Sequence, residues 1–308
     1  MGIKALRRKI ASIVDRVDGQ MGVAILDVLS GDEIGVSEEI LYPMASVCKT
    51  PILVEAYRQV DRCKLALEDR VEVTRSSRVA GSGLLNYCSE GLNPTVSDLV
   101  LLMIVVSDNA ATDLVLQRVG GPAKVTATMR KLGLNGITLD RTIKALIKAV
   151  HAKIDPAAAK LDYFKFQERL EGDHALAERF RDPERVFTAV HEATEGLDIA
   201  TPRDIARLYG QIQRAECASA ESCAAILKTL ERQQLRGRLP RNLPAHTRCC
   251  HKTGTLGDGN VCNDTGLIYV GERPIAVAVL SKDVKQEAQE TNSAIARIGR
   301  TVYDHFAG

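Results

Sequence analysis

The sequence predicts an α+β fold: an antiparallel sheet formed from both termini, flanked by helices, with a large all-helical domain inserted between them. Two observations carry this prediction. Short apolar runs bounded by turn signals fall near the two ends of the chain, and from about Pro43 to Gly237 the apolar positions recur mainly at helical spacing. The sheet domain is therefore assigned to residues 1–40 and 239–308, and the helical domain to 41–238.

Taken in order, Ile3, Leu6, Ile10, Ile13 and Val14 make a helical stripe that Gly19 ends. Gly22–Asp27 reads as a strand, Ser30-Gly31-Asp32 as a turn, and Glu33–Val36 as a second strand. Thr95–Val106 is almost wholly apolar and reads as a buried helix, with Thr95 and Asp98 spaced as a loose capping box. Gly120-Gly121-Pro122 stops one helix and starts the next. Near the end, Arg248–Thr255, Asp264–Val270 and Pro274–Lys282 read as strands, the last two joined at Gly271-Glu272-Arg273. Ala288, Ile295, Ile298 and Val302 mark a closing helix, and no internal repeat is found.

The 308 residues carry 41 Lys+Arg against 39 Asp+Glu, a net charge of +2, with 45% hydrophobic residues. Near-balance without a basic block argues against a nucleic-acid partner, and the apolar fraction argues against disorder. No apolar run approaches the roughly 18 residues of a membrane span. Eight cysteines without a C-x-x-C pair do not make a disulfide scaffold. No metal site is expected, since Cys249-Cys250-His251 with His246 matches no zinc spacing. The basic start at Met1–Lys9 has no apolar leader core after it, so the chain as written reads as cytoplasmic. A leader already removed would instead make it periplasmic or secreted.

Three short motifs carry chemistry. Ser46-Val-Cys-Lys49 puts a hydroxyl and an amine on one face of a helix start. Ser107-Asp-Asn109 and Lys252-Thr-Gly254 follow in that order, and the two serines stand 61 positions apart. A serine hydroxyl needs a base, and a lysine can serve only if burial or a nearby cation lowers its pKa. Lys252 would supply that cation and Lys49 the amine. Cys48, inside the first motif, is expected to be a buried structural thiol.

These motifs, with Gly22–Asp27, Tyr42-Pro-Met-Ala-Ser46, Gly81-Ser-Gly83, Asp108–Asp113, Gly120-Gly-Pro122 and Asn263-Asp264, resemble the class A β-lactamases of the serine β-lactamase and penicillin-binding protein superfamily. The resemblance implies an acyl-enzyme on Ser46, with Lys49, Ser107 and Lys252 as catalytic partners. It places the oxyanion on the N–H groups of Ser46 and Thr255, and a substrate amide on Asn109. Lys252, Thr253, Gly254 and Thr255 would hold a substrate carboxylate, with Arg238 as a further candidate. No cofactor is implied, and the partner is a small molecule, a β-lactam or an acyl amide or ester. The oligomeric state is left open.

One segment departs from the family. Arg141 and Asp198 match the ion pair that closes the family's active-site loop, yet they stand 57 positions apart, which implies an insertion over residues 142–197 of about 42 residues. Where a deacylating glutamate is expected, this chain has Ile143, and no Glu-x-x-Leu-Asn occurs. Glu184, ahead of Glu192 and Glu195, is the first candidate to fold back in its place. Ile143, Leu146, Ile147, Val150 and Ile154 form a helical stripe, so the insertion reads as helices that act as a lid, an oligomer contact or simple packing. The expected activity is β-lactamase-type hydrolysis of a β-lactam or related amide, with deacylation that is slow or uses another base; the alternatives are a D,D-peptidase, an esterase or a non-hydrolytic binding relative.

Overall fold

The computed structural model describes residues 2–308. Helix α1 (Ile3–Val14) leads into strands β1 (Gln20–Asp27), β2 (Glu33–Val36) and the two-residue β3 (Tyr42–Pro43). The helical region holds α2 (Lys49–Val60), α3 (Val96–Val105), α4 (Asn109–Arg118) and α5 (Pro122–Lys131). Four helices follow within the long loop: α6 (Ile143–Ile154), α7 (Tyr163–Gly172), α8 (His174–Arg181) and α9 (Pro183–Thr194). After β4 (Ile199–Ala200) come α10 (Pro202–Gln213) and α11 (Ala220–Glu231). The chain closes with β5 (Cys249–Leu256), β6 (Val261–Val270), β7 (Arg273–Lys282) and α12 (Ala288–Ala307).

The main sheet has the order β2-β1-β7-β6-β5, antiparallel throughout, so strands from the two chain ends meet at the β1–β7 pair. Side chains alternate across a strand, and the sequence uses both faces. Val23, Ile25, Val277 and Val279 pack with Leu6, Ile10, Ile295 and Ile298 of α1 and α12. Their neighbours Ala24, Leu26, Ala276 and Ala278 face the other way, into the core shared with Ile205 and Tyr209 of α10. Small residues on that face let α10 come close to the sheet.

Strand β6 begins three residues earlier than the apolar pattern suggested. Val261, Cys262 and Asn263 pair with Leu256, Thr255 and Gly254, and two polar or sulfur side chains concealed the strand. The small β3–β4 ladder, Tyr42 with Ala200 and Pro43 with Ile199, is too short to read from sequence. At α3, the Thr95 hydroxyl accepts from Asp98 N (3.1 Å) and the Asp98 carboxylate accepts from Thr95 N (2.9 Å), a complete capping box. All eight cysteines are free thiols, and six of them are buried.

Candidate active site

Ser46 lies half-buried in the single 3₁₀ turn Ala45–Cys48 that runs into α2. Three contacts fix the start of this turn, two from Asn263 of β6 and one to Asp198 just before β4. The Asn263 side-chain amide donates to Pro43 O (2.9 Å) and Met44 O (3.1 Å), and Met44 N donates to Asp198 O (2.8 Å). Gly254 lies directly beneath: a Cβ there would stand 2.8 Å from Met44 O and 3.1 Å from Ser46 N, so only glycine lets strand and turn touch. Ala45 is held at φ +47° and Ser107 at φ +58°, left-handed values that cost about 1–3 kcal/mol each for a side-chain-bearing residue. Two of the eight described non-glycine residues with positive φ thus fall at the two serines, one just before Ser46 and one at Ser107 itself. Burial pushes the Cys48 thiol up to about 12, which leaves it an inert packing group.

Both lysines are fully buried and converge on one hydroxyl. Lys49 Nζ donates to Ser107 O (2.7 Å), Ser107 Oγ (3.0 Å) and Asn109 Oδ1 (2.8 Å), which uses all three of its N–H groups. Lys252 Nζ donates to the same Ser107 Oγ (3.0 Å) and to Thr253 O (2.9 Å). Ser107 Oγ therefore accepts twice, which leaves its own proton free to be donated. Burial lowers the Lys49 pKa to about 8. Burial, then the charge of Lys49, holds Lys252 well below the usual lysine value.

Ser107 has its own scaffold. The Asp108 carboxylate accepts from Leu84 N, Leu85 N and Ala111 N, which caps α4 and pins the preceding loop in one stroke. Ser82 Oγ donates to Ser107 O (2.7 Å), and the Asn109 amide donates to Ala80 O (2.9 Å). Asn109 is thereby shared between the loop and Lys49.

A cleft of about 340 Å³ opens over Ser46, lined also by Ser107, Asn109, Thr253 and Thr255. Ser82 and Gly81 form one rim. The facing wall is aliphatic: Ile143, Leu146 and Ile147 of α6, with Leu235 and Leu256. No carboxylate lines this cleft among the described residues. Helix α6 is set there by two anchors. Asp113 of α4 accepts from Ile143 N (2.7 Å) and Lys144 N (2.9 Å), and Arg141 Nε meets Asp198 Oδ2 at 2.5 Å while its Nη2 donates to Ala193 O (2.6 Å). The long loop is therefore closed at its neck by Arg141 and Asp198 and hangs over the cleft from there.

Four of the candidates, Glu184, Glu192, Glu195 and Arg238, are not brought to the cleft. Glu184 stands exposed in the first turn of α9. The reason is the register of that helix: Val186, Ala189, Val190 and Ala193 form its buried face, the first three packed with Ile154 of α6 and with Ala45 and Val261, which turns Glu184 to solvent. Glu192 pairs with Lys153 at the surface (2.9 Å), and Glu195 is also exposed. Arg238 is buried at 8% exposure and spends its guanidinium inside the fold. It donates to Asn292 Oδ1 (2.6 Å), Gly254 O (2.7 Å), Asn263 O (2.6 Å) and Thr255 Oγ1 (2.6 Å). It holds Thr255 in place instead of facing the cleft.

Sequence reasoning also passed over Asp113, whose signal was its place in Asp108–Asp113, and the buried pair of His251 Nδ1 with Asp264 Oδ1 (2.9 Å). The aliphatic wall was visible only as a helical stripe, with nothing in the sequence to aim it at Ser46.

Comparison with known proteins places this architecture. The model of the β-lactamase enzyme family matches residues 5–306. A β-lactamase of Streptomyces albus G is 26% identical over 302 residues, 96% of this chain and 82% of the relative. The solved β-lactamase of Sphaerobacter thermophilus superposes with a TM-score of 0.76 at 26% identity, over 99% of this chain and 98% of that one. The solved structure of PBP-A shares the fold with a TM-score of 0.76 at 22% identity, over 98% of this chain and 96% of that one.

Proposed function

The chain belongs to the β-lactamase enzyme family, and from that premise we propose that it is a serine hydrolase that acylates Ser46 with a β-lactam and releases the product slowly. The observation that carries the reading is the double donation from Lys49 and Lys252 onto Ser107 Oγ.

In the first step, neutral Lys49 accepts the Ser46 hydroxyl proton as Oγ attacks the carbonyl carbon. A pKa of about 8 leaves on the order of a tenth of the molecules with a neutral Lys49 at pH 7. The hydrogen bonds of the resting site are those of the ammonium form, so the reactive form must also turn its lone pair towards Ser46. The N–H groups of Ser46 and Thr255 receive the negative charge on the carbonyl oxygen. As the C–N bond breaks, Ser107 gives its hydroxyl proton to the leaving nitrogen and regains one from the Lys49 ammonium. Lys49 returns to its neutral state, and an ester on Ser46 remains. Buried Lys252 lowers the proton affinity of its surroundings, and Thr253, Thr255 and Asn109 present hydrogen-bonding groups to the substrate's carboxylate and amide.

Hydrolysis of the ester needs an activated water. Ile143 and Leu146 occupy the wall from which a carboxylate would act, so acylation outpaces deacylation. Intact-mass spectrometry after mixing with a penicillin or cephalosporin tests this. The expected result is a Ser46 adduct that persists for many turnover times and decays to hydrolysed product. Immediate turnover without an adduct would refute slow deacylation; no adduct and no β-lactam loss would refute the function.

A further inference from the structure

A second pocket, walled mostly by apolar side chains but holding several charged ones, lies behind the aliphatic wall, between α6, α7 and the loop that precedes Gly81. At its base is Arg78, one of the largest fully buried side chains of the protein, at 1% exposure. Its Nη2 donates to Cys88 O (2.9 Å) and Ser89 O (3.4 Å). Its Nε and Nη1 are buried and meet no protein acceptor among the described residues. A guanidinium cannot neutralise itself by losing a proton, so those donors require an acceptor from outside the chain.

The surroundings favour an anion. Arg78 lines a cavity with about 30 Å³ of room for water-sized groups, together with Lys144, Lys148, His151, Asp162 and Tyr163. Asp162 is the one carboxylate of that lining, and it is engaged as the N-cap of α7 through Lys165 N (3.0 Å), with Arg75 4.0 Å away. Lys144 also lines the pocket, with its ammonium tied to Ser76 O (2.6 Å) at the surface. Burial and the charge of Lys148 hold His151 neutral, with a pKa pushed down to about 4, so it can accept or donate without adding charge. Three cations therefore face one carboxylate that is already committed. The room suits one small group of a few atoms and excludes a nucleotide or peptide.

We propose that this seam binds a small oxyanion, a free carboxylate or phosphate, on the spare donors of Arg78 with Lys148 closing over it. The oxyanion would staple the insertion to the loop that shapes the cleft. Ile147 lines both cavities, and Ala80, two residues after Arg78, holds the Asn109 amide. The site is independent of the hydrolytic reading, because its occupancy is read from stability and not from turnover.

The test is a thermal unfolding titration of the whole chain with sodium phosphate and, separately, sodium acetate, each exchanged against chloride at constant ionic strength. The expected result is a saturable rise of a few degrees in Tm for at least one of them, and the anion acting at lower concentration identifies the preferred chemistry. Lys148→Gln, at a part-exposed position, should move the midpoint concentration at least fivefold higher, and Arg78→Gln should abolish the effect. If Arg78→Gln does not fold, the Lys148→Gln shift decides alone. Absence of a saturable rise means that water satisfies Arg78 and overturns the proposal. An equal rise in wild type and Lys148→Gln, an adventitious ion only, overturns it as well.

Discussion

On one side of the Ser46 cleft, Lys49, Ser107, Asn109 and Lys252 share a closed set of buried hydrogen bonds; on the other, α6 presents Ile143, Leu146 and Ile147. The polar side is built from α2, α4 and β5, elements locked to one another through Asp108, Asn263 and Gly254. The aliphatic side is built by the insertion, which is joined at the Arg141–Asp198 neck and packs through its own small clusters. On the proposed function, the difference would separate two halves of one reaction. Groups that can form an acyl-enzyme are present and pre-positioned, whereas the wall from which a water would be activated holds hydrocarbon.

The largest effect that can break this contrast lies on the polar side. Lys49→Ala is expected to slow acylation by about 10³-fold or more, as much as Ser46→Ala, read as the rate of adduct formation by mass spectrometry. Substantial acylation by the Lys49 variant would remove it from the role of base.

The pH profile comes next. Because burial lowers the Lys49 pKa to about 8, and only the neutral amine accepts a proton, acylation should rise as pH increases. The slope is about tenfold per unit below pH 8, with a plateau above it. A flat profile from pH 6 to 8 would contradict the assignment.

Altering the aliphatic side sharpens the comparison from the opposite direction. Ile143→Glu places a carboxylate in the cleft wall, where burial would raise its pKa towards that of a useful base. We expect the adduct lifetime to shorten by about tenfold. A stability loss of about 2 kcal/mol should accompany it, because the new charge replaces a buried apolar side chain beside Asp113. An unchanged lifetime in a folded variant would show that something other than the missing carboxylate limits deacylation.

The smallest effect concerns the boundary between the two sides. Arg238→Gln should cost about 2 kcal/mol in unfolding free energy, since its donors serve Gly254, Asn263, Thr255 and Asn292. KM should change only a few-fold, through Thr255. A large rise in KM with unaltered stability would restore Arg238 as a direct substrate contact.

Much of this molecule was legible before its structure. The alternation Val23-Ala24-Ile25-Leu26 and its counterpart in β7 specify a two-faced sheet, because side-chain direction in a strand has a fixed period. Thr95 with Asp98 announces a helix start for an equally local reason. The order and spacing of Ser46, Lys49, Ser107 and Lys252 identified a family, since hydroxyl–lysine chemistry tolerates few substitutes. The fate of Arg238 and Glu184 was not legible. Both are charged residues at plausible distances along the chain, and only packing decided that one is consumed by backbone carbonyls while the other is turned outwards by the apolar face of α9.

The sequence by itself therefore determined most of the elements and named the candidate reacting groups, which depend on local periodicity and intrinsic chemistry. The tertiary structure alone decided which surface meets Ser46. A stripe such as Ile143, Leu146 and Ile147 specifies that a helix will bury one face and says nothing of what it buries it against. That choice was made by Asp113, Arg141 and Asp198, anchors far apart in the chain, which aim the stripe at the cleft and exclude from it every carboxylate the insertion carries.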